Sequence, residues 1–182
     1  MTVSLDLIAD FLNTRDERHF GQHRAKTPEQ REALRTTADL RSWLGTRGFA
    51  RKSAPISRAD LELAVALRGQ LRAQLGPGHA APRLAAVTAQ LPLTLSFQAG
   101  EPALAHAGGP ARQFLASLAA GCIEASARGD WARLKLCAAA DCQWAFHDTS
   151  RNRLARWCSM NVCGNRVKTR SYRARHSGTA RR

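Results

Sequence analysis

The sequence contains no hydrophobic run as long as a membrane span. None of its apolar stretches approaches the roughly 18 to 20 residues that cross a bilayer. The first ten residues carry Asp6 and Asp10 but no basic side chain, which is not typical of a secretory signal peptide. We therefore expect a cytoplasmic protein, and the content of 44% hydrophobic and 23% charged residues is typical of a globular chain.

Acidic residues are also scarce, above all in the last quarter of the chain. The 182 residues include 28 Lys and Arg but only 14 Asp and Glu, which gives a formal net charge of +14. Residues 137–182 alone carry 10 basic and 2 acidic side chains, and no acid follows Asp148. Such a dense positive segment attracts polyanions, in the first place nucleic acids and in the second anionic membranes. We expect nucleic acid, and no membrane, as the partner.

Common catalytic motifs are missing as well. The sequence has neither a P-loop nor the glycine pattern of a dinucleotide-binding turn. His147, Asp148 and Ser150 are the residue types of a hydrolase triad, but sequence neighbours rarely converge in space, and no nucleophile-elbow motif surrounds Ser150. We therefore expect that the chain is not an enzyme.

Residues 1–129 are predicted to form a mainly helical domain with one β-hairpin, followed by a small metal-binding domain over residues 130–182. The fold class is thus mainly α with a small β component (α+β). Apolar residues at helical spacing and helix-start signals predict helices over residues 5–12, 27–45, 57–75, 84–91 and 110–129. Leu93, Leu95 and Phe97 alternate with polar residues before a turn at residues 98–101, which is typical of a hairpin.

Candidate ligand-binding residues in this first domain are few. Asn13, Arg15 and Trp43 are candidates to line a pocket for a small-molecule effector. The alternative interpretation is a helix cap, a surface charge and a core tryptophan. Cys122 is expected to be buried in the last helix of the domain.

The other four cysteines form a regular frame. Cys137 and Cys142 are separated by four residues, and so are Cys158 and Cys163, with fifteen residues between the two pairs. Two close pairs joined by a loop suit a tetrahedral zinc site, because each pair supplies two thiolates from one turn. The alternatives are reduced core cysteines or two disulfides, and disulfides are not expected in a chain without an export signal. We predict one zinc ion per chain.

Residue patterns on both sides of this frame support the zinc site. Short alternating segments before Cys137 and after Cys142 predict two strands that flank a metal-binding turn. A basic helix is predicted directly after Cys163, and at about 100° per residue its Arg166, Arg170 and Arg173 fall on one stripe. A solvated helix usually mixes charges of both signs, so the absence of acids after Asp148 favours polyanion binding over a merely exposed surface.

Several motifs in this segment resemble those of the bacterial CGNR zinc-finger family. They are the run from Cys137 to Phe146 with Asp141 and Trp144, then Asp148-Thr-Ser-Arg-Asn, then Arg-Trp-Cys-Ser-Met at residues 156–160, then Cys163-Gly-Asn-Arg. The resemblance spans about residues 134–175 and implies a DNA-binding transcription regulator. Residues 1–129 resemble the ABATE domain that often precedes this finger, on Phe11-Leu12-Asn13-Thr14 and the hairpin, which implies a stress-induced regulator. Family members often have two arginines before the Trp-Cys pair, whereas Ala155 stands here at the first position.

The function expected from these observations is a regulator in two parts. The first domain would sense a ligand or mediate dimerisation, and the finger would bind double-stranded DNA. Asn165 is a candidate for reading a base edge or, equally, for capping the helix. The alternatives are an RNA- or ribosome-binding finger and an enzyme whose site lies in the first domain. The expected nucleic-acid contacts are Arg151, Arg153, Arg156, Asn165, Arg166, Lys168, Arg170, Arg173 and Arg175.

Overall fold

The structure is a computed structural model that describes residues 3–51, 53–91 and 93–176. The described residues contain seven α-helices: α1 (Leu5–Leu12), α2 (Pro28–Arg31), α3 (Thr37–Gly45), α4 (Arg58–Leu75), α5 (Leu84–Thr88), α6 (Pro110–Ala127) and α7 (Asn165–His176). Two hairpins supply the strands: β1 (Leu93–Gln98) with β2 (Glu101–His106), and β3 (Leu134–Leu136) with β4 (Ala145–His147). The predicted fold class, mainly α with a small β component and a cysteine cluster near the C-terminal end, is confirmed.

The single helix predicted over residues 27–45 is wrong, because the chain forms two helices there. α2 has the expected capping box between Thr27 and Gln30, but it lasts one turn and ends at Glu32, whose backbone is extended. A second capping box, between Thr36 and Asp39, then begins α3. The Thr36 hydroxyl accepts a hydrogen bond from the Asp39 amide, and the Asp39 carboxylate accepts one from the Thr36 amide. Thr36 is therefore the N-cap of a new helix and cannot continue α2.

The main core lies between α1, α3, α4 and α6. Phe11 is completely buried, and its ring meets the rings of Trp43 and Phe114 edge to face at centroid distances of 5.8 and 5.9 Å. Edge-to-face aromatic pairs of this kind add to the stabilisation that comes from apolar burial. Trp43 is therefore a core residue.

The first hairpin has the predicted register, with Gln98 opposite Glu101. Ala99 and Gly100 form its turn at φ of 50° and 87°. Two consecutive residues at positive φ match the right-handed twist of a two-residue hairpin turn. Leu95 and Phe97 point out of the molecule with 65% and 69% of their surfaces exposed, so β1 presents an apolar strip to solvent.

The second hairpin packs against the N-terminal helices. Leu134 and Ala145 are buried in the same apolar core as α1, α4 and α6. The Asn13 side chain, at the end of α1, pairs with the backbone of Ala145 in both directions: it donates to the carbonyl at 2.8 Å and accepts from the amide at 2.9 Å. The cysteine-bearing segment is thus attached to the helical part through β4. The division into domains at residues 129 and 130 stays a prediction.

Over the described ranges, none of the helices combines the length and the apolar character that crossing a membrane would require.

Candidate metal centre and basic helix

Four cysteine sulfurs converge at one point beside the second hairpin. The sulfurs of Cys137, Cys142, Cys158 and Cys163 all lie within 4.8 Å of one another, and those of Cys142 and Cys163 are each 3.7 Å from that of Cys158. Zinc–sulfur bonds of about 2.3 Å in a tetrahedron place the sulfurs about 3.8 Å apart. The four thiols therefore have the spacing of a closed zinc site, and they are positioned to hold one metal ion, consistent with one zinc per chain.

Backbone hydrogen bonds set each cysteine in place. Cys137 follows β3 directly, and its amide donates to the Trp144 carbonyl at 2.9 Å. Cys142 closes a tight turn, because its amide donates to the Ala139 carbonyl at 2.8 Å. Cys163 lies in a π-helical turn, Met160–Gly164, that leads into α7 and is capped by the Ser159 hydroxyl. The predicted strand-flanked turn and the helix after Cys163 are both confirmed.

The chemistry of the sulfurs also fits a cation. Without a metal, the neighbouring thiols of Cys142 and Cys158 hydrogen-bond to Cys137 and lower its pKa to about 2. The same contacts raise the pKa of Cys142 and raise that of Cys158 to about 12. Four thiolates this close repel one another, so a divalent cation is required for all four to ionise together.

His147 and Cys122, which are also residue types that can bind zinc, lie outside the cluster. His147 does not point to the sulfurs, because its Nδ1 is 3.3 Å from an Asp6 carboxylate oxygen. Cys122 is half-buried rather than fully buried as predicted, since α6 leaves part of it at the surface. Burial still raises the pKa of the Cys122 thiol to about 12, so it stays protonated at neutral pH. No cysteine of the described residues forms a disulfide.

The turn before α7 is closely packed around Gly164. A Cβ on Gly164 would lie 2.3 Å from the Met160 sulfur and 3.1 Å from the Trp157 ring. Both distances are shorter than ordinary carbon contacts. A larger residue at position 164 would therefore displace the Met160 side chain and press on Trp157 beside the turn that carries Cys163.

The loop between the two cysteine pairs is organised by a buried carboxylate that the sequence did not reveal. Asp148 is only 1% exposed. It accepts hydrogen bonds from Lys135 Nζ at 2.6 Å and from the amides of Ser150 and Ala155 at 3.0 Å each. Although burial by itself raises the pKa of Asp148, these hydrogen bonds outweigh it and hold the pKa well below its usual range. Asp148 is thus a structural anchor of the loop.

Two arginines of the predicted stripe on α7 face the cysteine cluster. Arg166 and Arg170 each donate to a carboxylate oxygen of Asp141 at 2.8 Å. The Arg166 guanidinium also lies 3.5 Å from the centre of the Phe20 ring and 3.7 Å from the Cys163 sulfur. The expectation that no acid compensates this helix is therefore wrong, because Asp141 lies 25 residues before Arg166 in the chain but beside it in the fold. Phe20, on the loop after α1, is a second partner that sequence reasoning missed.

The other side of α7 is open. Lys168 and Arg175 are exposed there, and neither has an ion pair with a described residue. Asn165 is exposed at the start of the helix. Tyr172 is 57% exposed, and its ring stacks on that of His176 at a centroid distance of 4.0 Å. Arg173 is exposed as well, but it lies on the stripe of Arg166 and Arg170, so we call Lys168, Tyr172 and Arg175 the outer face of α7.

The three predicted arginines before α7 are also exposed. Arg151, Arg153 and Arg156 lie on the loop between the two cysteine pairs. Arg153 donates to the Gly129 carbonyl at 3.2 Å, and the Arg156 guanidinium lies 5.3 Å from the Trp157 ring centre. Their role as nucleic-acid contacts stays a prediction.

The structure does not assemble the predicted pocket from Asn13, Arg15 and Trp43. Asn13 is bound to the Ala145 backbone, Arg15 pairs with Glu17 at the surface, and Trp43 packs on Phe11. Each side chain has a structural contact of its own, which agrees with the alternative of a cap, a surface charge and a core residue. The three residues are not combined in one site.

Comparison with known proteins identifies the metal-binding part of the chain. No curated protein matches the sequence. The ABATE-like interpretation of residues 1–129 stays a prediction, because the family match lies beyond them. Residues 133–176, which contain all four clustered cysteines and α7, match the family model of the CGNR zinc finger.

Proposed function

We propose that this chain is a DNA-binding transcription regulator whose finger contacts double-stranded DNA through the outer face of α7. The observation that carries the proposal is the charge of this face: Lys168 and Arg175 are exposed, and the helix contains no acid. Cations without acidic partners attract phosphates and release the counterions bound to them. Zinc in the cysteine cluster would hold the start of α7 firmly, so that these side chains meet the duplex in a fixed arrangement.

The salt dependence of binding tests this proposal. Each phosphate contact contributes about −0.9 to the slope of log K against log salt on B-DNA. Replacing Lys168 or Arg175 with alanine should weaken binding on all DNA sequences and flatten the slope by about one unit. Fluorescence anisotropy with a labelled duplex at several salt concentrations measures both quantities. Unchanged slope and affinity in both variants would refute binding through the outer face.

Arg58→Ala is a matched control for these variants. Arg58 is 77% exposed and pairs with Glu62 at the first turn of α4. The far end of α4, about 25 Å away at 1.5 Å per residue, is the end that lies near β3. Arg58→Ala removes one positive charge far from the cysteine cluster, so the slope of log K against log salt should not change.

The ion pairs of Asp141 lead to a second prediction. Arg166 and Arg170 share the single negative charge of Asp141, so the two arginines together present about one positive charge, rather than two, to phosphates. Asp141→Asn should free the 62% exposed Arg170 side chain, strengthen DNA binding and steepen the slope by about one unit. The zinc content, measured in parallel, should stay at that of the wild type. Weaker DNA binding with zinc retained would show that Asp141 acts by orienting α7.

RNA is the second candidate, because the outer face includes an exposed aromatic ring. Tyr172 stacks on His176 and leaves 57% of its surface open. Proteins that bind single-stranded RNA loops stack unpaired bases on such rings. Competition of a labelled DNA duplex with structured RNA, in the wild type and in Tyr172→Leu, separates the two candidates. Preference for RNA that is lost in Tyr172→Leu would favour the RNA-binding function.

The rest of the proposal concerns the helical part. We propose a cytoplasmic regulator without catalytic activity, because four thiolates would fill the coordination shell of the zinc and leave no open position for a substrate.

The N-terminal part would sense a small molecule or form a homodimer. The apolar strip of Leu95 and Phe97 supports dimerisation, since exposed apolar patches often mark contact surfaces. Sedimentation of the wild type and of Phe97→Ser tests this part.

A further inference from the structure

A cleft of about 570 Å³ lies between the end of α4 and the metal-binding segment. Leu75 and His79 form one wall, and β3 with the loop of residues 153–156 forms the other. The volume falls within the range of about 300 to 1,000 Å³ that is typical of small-molecule sites. The cleft is separate from the residues proposed above for α7, and it was not visible in the sequence because its walls are about 60 to 80 residues apart in the chain.

The floor of the cleft is apolar. Trp131, Leu134 and Leu136 line it, and a single residue of β3 separates the two leucines. At its mouth Leu154 leaves 71% of its surface in contact with water. A flat apolar group that covers both the exposed leucine and the apolar floor would remove their surfaces from water, which favours binding.

The rim of the cleft is positive. Arg153 and Arg156 are both exposed and line the cleft, whereas no Asp or Glu is among the described residues around it. Lys135 also lines it, but its ammonium group is already paired with Asp148 and with the carbonyls of Arg153 and Ala155. These contacts hold the backbone that carries Arg153 in place, and they leave the charges of the two arginines without an acidic partner.

We propose that this cleft binds a small organic anion with a flat apolar body, such as an aromatic carboxylate or sulfonate. The ring system would lie on Trp131 and Leu136, and the anionic group would accept hydrogen bonds from Arg153 and Arg156. Charge-assisted hydrogen bonds from guanidinium groups are among the strongest polar contacts in proteins. A ligand in this position touches both the end of α4 and the finger, so it would couple the two parts of the chain. The proposal does not depend on DNA binding.

The test uses a pair of dyes that differ in charge. Anilinonaphthalene sulfonate has the proposed chemistry, and N-phenylnaphthylamine has the same ring system without the sulfonate. Both are titrated into the zinc-loaded full chain, and dye fluorescence gives affinity and stoichiometry. We expect one sulfonate dye per chain, bound more tightly than the neutral dye. Arg156→Ala should weaken the sulfonate dye about fivefold and the neutral dye hardly at all.

Two variants make the outcome specific. Arg151→Ala is the control, since Arg151 is equally exposed on the same loop but does not line the cleft. Leu154→Ser should weaken both dyes, because it removes an apolar contact and no charge. The proposal is overturned if Arg156→Ala and Arg151→Ala bind the sulfonate dye alike, or if the dye binds at several equal sites. It is also overturned if duplex DNA displaces the dye and Arg156→Ala weakens DNA binding, because the cleft would then hold the phosphate backbone.

Discussion

Cys137→Ser should abolish zinc binding and unfold residues 157–176. The serine hydroxyl is a poor zinc ligand, and the three remaining thiolates cannot close the tetrahedron. The cysteine cluster has little apolar core of its own, with Ala139 as the fully buried residue besides three of the cysteines. Structural zinc contributes on the order of 10 kcal/mol of binding free energy in zinc-finger peptides. Without that contribution, the π-helical turn and the start of α7 lose what holds them, whereas the hydrogen bonds of Asp148 in the loop remain.

The helical part should survive the same substitution. Its core is formed by α1, α3, α4 and α6, which bury Phe11, Leu67 and Leu115 completely. Metal analysis should give no zinc, and amide hydrogen exchange should show loss of protection in α7 but not in α6. Cys122→Ser is the control and should keep one zinc per chain. Cys137→Ser with full zinc content would refute the four-cysteine site.

Glu32→Ala should lower the free energy of unfolding by about 3 kcal/mol. Arg68 lies in the middle of α4 and its side chain is only 2% exposed. One of its guanidinium nitrogens donates to Glu32 at 2.7 Å and to the Thr14 hydroxyl at 2.9 Å, and the other nitrogen donates to the second Glu32 oxygen. Removal of the carboxylate leaves a buried charge without its partner, and this costs far more than the loss of an exposed pair.

Glu62→Ala is the matched control on the same helix. Glu62 pairs with Arg58 at 2.8 Å, but both side chains are more than half exposed. Exposed pairs four residues apart stabilise a helix by about 0.3 to 0.5 kcal/mol, so the control should change stability little. Chemical denaturation with both variants measures the difference. Equal changes in the free energy of unfolding would show that the Arg68–Glu32 pair does not stabilise the contact between α4 and the segment around α2.

Local patterns in the sequence predicted the parts of the structure that depend on neighbouring residues. The spacing of Cys137, Cys142, Cys158 and Cys163 identified the metal cluster, because each pair sits in one turn. The hairpin at residues 93–106 and the capping boxes at Thr27 and Ser57 also follow from short segments. α4 lies where leucine periodicity placed it, within one residue at its start.

The parts that were missed depend on residues distant in the chain. Asp141 meets Arg166 and Arg170 only because the cysteine cluster folds the turn of residues 138–141 against α7. Asn13 was a candidate pocket residue, yet it binds the Ala145 backbone 132 residues away. The charge of a helix can be read from its own residues, whereas the face that remains open depends on the surface against which it packs. The sequence therefore revealed a basic helix, but not that Asp141 pairs with two of the three arginines on its predicted stripe.

The central claim is that four cysteine thiolates hold one zinc ion and fix the start of α7. X-ray absorption at the zinc edge of the purified full chain tests it most directly. We expect one zinc per chain with four sulfur ligands at about 2.3 Å and no nitrogen or oxygen ligand. A shell with fewer than four sulfurs, or a chain purified without metal that has two of these cysteines joined as a disulfide, would contradict it.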